Sequence, residues 1–166
     1  MRVVFGMGHL IGAWGLGKVW ERKWPISKYG WFFLLLGGIL PDADFLFDWI
    51  LRLELHRTFS HSLLFVLFCG LLVYVLFRKK EYSWLIGLGV LSHLLLDMMW
   101  APGVPILWPS MLHFSYSGIT YFDPTAVSLF VASKEELAFR LKFAVFDMGL
   151  GAIWIFYLMW KKNLKF

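Results

Sequence analysis

Short polar clusters interrupt the very apolar sequence of this chain, and they limit the folds that it can adopt more than any other feature does. Four of its five histidines fall in these clusters, beside aspartates. A histidine or an aspartate among Leu and Phe costs free energy unless it is paired or bound to a cation. The clusters contain no cysteine, so histidine and aspartate are the available metal ligands. This ligand set is typical of an open, catalytic site for zinc or a similar ion. The clusters are Gly8-His9, Pro41-Asp42-Ala43-Asp44, the run from His56 to Ser62, and Ser92-His93 with Asp97.

The composition indicates a membrane protein. Hydrophobic residues make up 60% of the 166 residues and aromatic residues 20%, whereas a soluble domain is about 45–50% apolar. The length suits one domain, so we treat residues 1–166 as a single membrane-embedded unit. The lone Cys69 cannot form an internal disulfide and is expected to be a small core residue.

The order of apolar stretches predicts an all-α fold, a polytopic membrane bundle of about five spans. Several stretches are shorter than the ~20 residues that a bilayer-crossing helix needs, and Pro41 interrupts the second one. Some spans are therefore expected to be broken or re-entrant, around a cavity that covers the exposed backbone. The stretches are residues 3–19, 31–51, 62–77, 83–100 and 141–160.

Basic residues bunch at the ends of these stretches, which predicts the topology. The net charge of +5 could suggest nucleic-acid binding, but positive charge flanking apolar segments marks the cytoplasmic side instead. No nucleic-acid partner is expected. The chain is predicted to be a multi-pass protein of the inner (cytoplasmic) membrane, with the polar clusters facing the extracytoplasmic side. The basic bunches are Arg22/Lys23/Lys28, Arg78 to Lys80, and Lys161/Lys162/Lys165.

Two pairs of residues carry the core of the predicted metal site. His93 and Asp97 are four residues apart and share one helix face, so they can hold one ion together; a hydrogen-bonded pair at a helix interface is the alternative. Asp42 and Asp44 follow a proline, and two carboxylates this close repel each other unless a cation lies near them. A solvated helix end is the alternative for this second pair.

The run from His56 to Ser62 adds two histidines and one strong cation. His56 and His61 are five apart, which fits one helical face poorly, and Ser60 is predicted to cap the helix that begins near His61. Arg57 offers a guanidinium that suits a phosphate or a developing oxyanion. Its alternative role is an ion pair with Glu54.

Three further polar residues are less informative by themselves. His113 lies in the loop over residues 101–134 among apolar residues, and it is more readily a core residue than a ligand. Asp123 precedes a proline and on its chemistry alone favours a turn. Asp147 lies inside the last apolar stretch, where Arg140 or Lys142 could pair with it.

These clusters, in this order, resemble the YdjM-like family of inner-membrane metal-dependent hydrolases, also labelled LexA-binding. The match covers residues 6–125 and includes Phe122-Asp123-Pro124, so the resemblance implies that Asp123 is a ligand or supports one. That family is distantly similar to the zinc-dependent phospholipase C group, whose His and Asp ligands hold two or three zinc ions. The LexA-binding label has no support in these residues.

Together the residues and the resemblance lead us to expect a membrane-embedded metal-dependent hydrolase, cleaving a phosphoester of a lipid-linked or amphiphilic substrate. We expect two or three divalent ions, with zinc as first choice and manganese or magnesium as alternatives. Arg57 and Asp44 are the candidate catalytic residues. A metal-dependent ester or amide hydrolase, and a non-enzymatic metal-binding protein or transporter, stay open as alternatives. The expected metal ligands are His9, Asp42, Asp44, His56, His61, His93, Asp97 and Asp123.

Overall fold

The computed structural model describes residues 6–44, 58–99, 103–110, 112–121 and 134–161. Helices dominate these ranges, and a short hairpin lies between the last two helices. In chain order the elements are α1 (Gly6–Glu21), α2 (Lys28–Ile39), a 3-10 turn (Leu40–Ala43), a second 3-10 turn (Phe59–His61), α3 (Leu63–Phe77), α4 (Lys80–Asp97), β1 (Leu112–Ser115), β2 (Gly118–Tyr121) and α5 (Lys134–Trp160).

Helix ends fall where the sequence supplies caps and breaks. The Ser27 side chain accepts a hydrogen bond from the backbone N–H of Gly30 and starts α2, and Pro41 lies in the 3-10 turn that ends it. The prediction that Ser60 caps the next helix is wrong. Ser62 does so, accepting from the N–H of Phe65, because the extended backbone needed at a cap occurs at Ser62.

Close contact between α2 and α4 sets the centre of the bundle. A Cβ on Gly37 would collide with the backbone of Ile86, and one on Gly89 would collide with the carbonyl of Leu34. Only glycine, whose side chain is a single hydrogen atom, lets the two helix backbones approach so closely at these positions. The core that surrounds this contact consists of Phe33, Cys69, Val73, Ile86, Val90, Leu94 and Val104, so the expected core role of the cysteine is confirmed.

Alternating helix directions gather the polar clusters at one end of the bundle. The start of α1, the end of α2, the start of α3 and the end of α4 meet there. At the opposite end the α1–α2 loop meets the start of α4, where Glu81 accepts a hydrogen bond from the N–H of Ser27 at 2.8 Å. The basic residues of both loops therefore lie far from the polar clusters.

The last helix, α5, runs parallel to α1. Asp147 of α5 lies at the first turn of α1, and further along Trp154 and Tyr157 each place their rings 6.0 Å from that of Trp14. The end of α5 therefore also lies at the basic end of the bundle.

The prediction of an all-α fold needs one correction, at residues 112–121. Strands β1 and β2 pair antiparallel, with His113 opposite Thr120. The backbone of Val104 also bridges to Phe114, and the N–H of Tyr116 donates to the carbonyl of Met98 at 2.9 Å. These bonds hold the hairpin against the end of α4, where the polar clusters lie.

Within the described ranges, no helix is both long enough and apolar enough to cross a membrane. The five predicted spans therefore stay a prediction.

The outer faces of α3 and α5 carry many exposed large apolar side chains. Burying apolar surface is the main favourable term in folding, so a large exposed apolar area indicates contact with an apolar surrounding. Exposed examples on these two helices are Leu67, Phe68, Leu71, Leu76, Phe146, Ile153, Phe156 and Trp160.

Candidate metal centre

Six of the predicted site residues lie together in one cluster. They come from the first turn of α1, the 3-10 turn after α2, the 3-10 turn before α3 and the last two turns of α4. Asp42 keeps 14% of its side chain exposed and the others are less exposed than that. The six, which we call the His/Asp cluster, are His9, Asp42, Asp44, His61, His93 and Asp97.

His93 is held so that one ring nitrogen faces the cluster. Its Nδ1 lies 2.9 Å from the carbonyl oxygen of Gly38, which can only accept, so Nδ1 carries the hydrogen. Its Nε2 then points at two carboxylates, 3.6 Å from Asp42 Oδ1 and 3.8 Å from Asp97 Oδ2. This is the arrangement of a metal-binding histidine, whose second nitrogen donates to a carbonyl and fixes the ring. The predicted shared face of His93 and Asp97 is confirmed.

His61 is oriented in the same way by Ser60. The Ser60 hydroxyl donates to Asp44 Oδ2, so its oxygen is left to accept from His61 Nδ1 at 3.0 Å. His61 Nε2 lies 3.4 Å from Asp97 Oδ2 and 3.8 Å from Asp42 Oδ1. The Nε2 atoms of His61 and His93 are 3.4 Å apart and face the same two carboxylates.

His9 closes the cluster from α1. Its ring stacks on that of His93 with centroids 3.8 Å apart, and its Nε2 lies 3.3 Å from Asp97 Oδ1. The start of α1 is fixed by Asp147, whose carboxylate accepts from the backbone N–H groups of Met7 and Gly8 at 2.9 and 2.8 Å. Asp147 thus satisfies two orphan donors of the helix N-terminus and sets the position of His9.

The electrostatics of the cluster favour a cation at its centre. Burial by itself lowers the pKa of His61, but hydrogen bonds to Asp42, Asp44 and Asp97 outweigh burial and raise that pKa to about 10. The three carboxylates of the cluster, two of them buried, repel one another unless positive charge lies among them. The raised pKa of His61 means that protonation of its ring can supply this charge when no metal is bound.

The donor atoms fit a divalent metal. His9, Asp42 and His93 form one group and His61, His93 and Asp97 a second; within each group one atom per residue lies within 4.8 Å of the others. His9 Nδ1 and Asp42 Oδ2 are buried and make no hydrogen bond within the described part of the chain. His93 belongs to both groups, but its Nε2 has one lone pair, so it would hold an ion of only one group at a time.

Three predicted residues, His56, Arg57 and Asp123, lie outside the described residues. His113 is buried on β1 and belongs to neither donor group that the described ranges contain. Asp147 does not need the predicted pairing with Arg140 or Lys142, because it binds the start of α1.

Sequence reasoning missed the supporting contacts of the cluster. Ser60 was expected to be a cap, and the backbone carbonyl of Gly38 carries no side-chain signal at all. Ser60 directly precedes His61, and Gly38 lies four residues before Asp42. The fold is what brings these two groups within hydrogen-bond distance of the ring nitrogens of His61 and His93.

The fold and the cluster define a helical protein with a candidate His/Asp metal centre at one end of its bundle. The chain belongs to the YdjM inner membrane protein family, whose model matches residues 5–164. The resemblance to the YdjM-like family is therefore confirmed, and the matching family is one of inner membrane proteins.

Individual relatives match shorter parts of the chain. It is 37% identical to the inner membrane protein YdjM of Escherichia coli (strain K12) over 48% of this chain and 49% of that protein, with the same figures for YdjM of Shigella flexneri. It is 39% identical to the uncharacterized protein YvsG of Bacillus subtilis (strain 168), over 34% of this chain and 36% of that protein. The match spans about half the length of the YdjM proteins. No solved structure gives a significant match.

Proposed function

We propose that the protein is a metal-dependent hydrolase of the inner membrane. The observation that carries the proposal is the buried His/Asp cluster, in which three histidines and three aspartates from four chain segments point at one centre. Buried charge on this scale is costly unless a cation compensates it, and a purely structural role for the cluster requires no such convergence.

The roles of the residues follow from their contacts. His9, Asp42, His61, His93 and Asp97 would hold the metal. Two divalent ions held there would act as Lewis acids and make a bound water acidic near neutral pH. Asp44 lies at the side of the cluster, where Ser60 and His61 orient its carboxylate, so it is the candidate to accept a proton from the attacking water.

The proposed substrate is a phosphoester of a lipid-linked or amphiphilic molecule. Membership of an inner membrane protein family supports a substrate within or at the membrane, and the exposed apolar faces of α3 and α5 suit the same location. Arg57, four residues before His61 in sequence, remains the candidate to bind the phosphoryl group.

We also propose a multi-pass topology with the cluster on the extracytoplasmic side. Support comes from the two ends of the bundle. The basic loops that include Lys23 and Lys80 lie together at one end, bridged by the Ser27–Glu81 hydrogen bond, and the His/Asp cluster lies at the other. Loops rich in Lys and Arg tend to stay in the cytoplasm, and this rule supports an extracytoplasmic position for the cluster.

Turnover measured together with metal content tests the proposed function. We expect the purified protein to carry at least two divalent ions per chain and to cleave phosphodiester or phosphomonoester surrogates only when loaded. His93→Ala should lose at least one ion and reduce turnover by about 10²-fold or more. His113→Ala is the matched control, since it also removes a buried histidine but from outside the cluster.

Three results separate the alternatives. Cleavage of carboxylic ester or amide surrogates, with phosphoesters untouched, would favour the ester or amide hydrolase. Metal bound without turnover on any surrogate would favour a binding or transport role. A wild-type protein that folds stably and binds neither zinc nor manganese would overturn the metal centre.

A further inference from the structure

A second site lies at the basic end of the bundle, away from the His/Asp cluster. A groove of about 790 Å³ runs between the end of α1, the α1–α2 loop and the faces of α3 and α4. This volume is within the ~300–1,000 Å³ of binding sites for small molecules. None of the six cluster residues lines it. Its walls include Trp20, Trp24, Leu67, Leu71, Trp84 and Leu88.

Apolar side chains make up most of the wall of the groove. Apart from the indoles of Trp20, Trp24 and Trp84, two polar side chains line the groove, and each already makes a hydrogen bond. The Ser83 hydroxyl donates to the carbonyl of Gly70 at 2.7 Å, and Glu81 accepts from the N–H of Ser27 at 2.8 Å. A polar occupant would lose its own hydrogen bonds to water without replacement. The wall therefore selects a hydrocarbon chain.

Exposed indoles line the same groove, and basic residues lie close in sequence to its lining residues. Trp24 and Trp84 line it, with 55% and 75% of their surface exposed. The exposed residues Arg22, Lys23 and Lys80 are close neighbours in the chain of the lining residues Trp24 and Glu81. Tryptophan concentrates at the headgroup level of a bilayer, and clustered Lys and Arg attract anionic headgroups.

We propose that this groove binds one molecule of an anionic phospholipid. An acyl chain lies along the apolar wall between α3 and α4, and the headgroup phosphate contacts the basic residues of the two loops. Charge favours the anionic lipid over other occupants. A hydrophobic peptide or a second copy of this chain could pack against the apolar wall, but it would offer no negative charge to the basic residues of the loops. The site is independent of hydrolysis at the His/Asp cluster.

The test is lipid binding by the purified full-length chain in detergent, measured by native mass spectrometry. Phosphatidylglycerol and phosphatidylcholine with identical acyl chains are the two probes. Gly70→Leu places a larger side chain in the groove, where a Cβ would only touch Ser83 at ordinary contact distance. Gly149→Leu is the matched control: the same change on a helix, at an exposed glycine of α5 with open space around it.

We expect one phosphatidylglycerol per wild-type chain and about tenfold weaker binding for Gly70→Leu, with Gly149→Leu unchanged. Lys23→Gln and Lys80→Gln should each weaken phosphatidylglycerol about fivefold and leave phosphatidylcholine unaffected. Equal loss in Gly70→Leu and Gly149→Leu would overturn the groove. Equal affinity for the two lipids would overturn the headgroup contact, and a wild type that dimerises through the groove without lipid would overturn the proposal entirely.

Discussion

Ser60 decides which nitrogen of His61 faces the centre of the cluster. Its hydroxyl hydrogen goes to Asp44, so its oxygen receives the hydrogen of His61 Nδ1, and Nε2 is left for the site. The carbonyl of Gly38 does the same for His93. One side chain and one backbone group thus give two histidines the same orientation, as partners of metal-binding histidines commonly do.

Removing the Ser60 hydroxyl should therefore weaken metal binding. We expect Ser60→Ala to lower the affinity for zinc by about 10–100-fold, because His61 loses its fixed tautomer and Asp44 loses a donor. Competition with a chromogenic chelator measures this affinity. Ser92→Ala is the control, since Ser92 donates only to the carbonyl of Gly89 within its own helix. Equal affinities for wild type and Ser60→Ala would remove Ser60 from the site.

The raised pKa of His61 gives opposite pH dependences with and without metal. Its pKa rises from the ordinary value of 6.5 to about 10 in the folded protein, through its three carboxylate neighbours. Without metal, the proton on His61 stabilises the fold fully below pH ~6.5, and this contribution is lost as the pH rises towards ~10. A bound metal needs His61 unprotonated, so metal affinity rises with pH.

Thermal unfolding across pH 7–9, above the ordinary pKa of histidine, tests this reversal. We expect the melting temperature of the metal-free protein to fall with rising pH, and the stabilisation added by zinc to grow over the same range. Acidification should release the metal. A melting temperature of the metal-free protein that rises steadily across this range would contradict the assigned protonation of His61.

At the scale of elements, the contact between α2 and α4 determines whether the cluster forms at all. Asp42 and Asp44 follow α2 directly, and His93 and Asp97 lie in the last two turns of α4. The two pairs meet because Gly37 and Gly89 let the helix backbones touch. Any side chain at these positions separates the helices and with them the carboxylates from the histidines.

Two glycines of α4 give a matched test of this contact. Gly89→Ala should destabilise the protein by about 1–3 kcal/mol, since its Cβ would overlap the backbone of α2. Gly87→Ala should be tolerated or stabilising, because its Cβ meets Val66 at 3.6 Å and alanine favours the helix by up to ~1 kcal/mol. Denaturant unfolding in detergent measures both. Equal effects would show that the backbone contact does not limit packing.

The elements also show what sequence alone can predict. The uninterrupted apolar run that ends at Arg78 predicted α3, and the apolar run over residues 83–100 predicted α4, each to within a few residues. Pro41 predicted the break after α2. The hairpin was missed because its strands are four residues long and lie in a loop without clear alternation. His9 and His93 could not be paired, since stacking across 84 positions depends on helix packing and leaves no local pattern.

At the scale of the whole molecule, the basic residues and the His/Asp cluster lie at opposite ends of one bundle. The loops before α2 and α4 carry the basic residues, and the end of α5 joins them because α5 runs parallel to α1. The His/Asp cluster and the hairpin lie at the other end. For a protein of an inner membrane family, this distribution of positive charge favours the proposed orientation, with the basic end in the cytoplasm.

Cysteine labelling in intact cells tests that orientation. In a Cys69→Ser background, Tyr116→Cys places a thiol on the exposed hairpin turn beside the cluster, and Lys80→Cys places one at the basic end. We expect an impermeant thiol reagent to label Tyr116→Cys from outside and to reach Lys80→Cys only after the cells are permeabilised. Labelling of Lys80→Cys from outside, with Tyr116→Cys protected, would put the cluster on the cytoplasmic side. The proposed lipid groove at the basic end would then face the outer leaflet, and the substrate would have to reach the cluster from the cytoplasm.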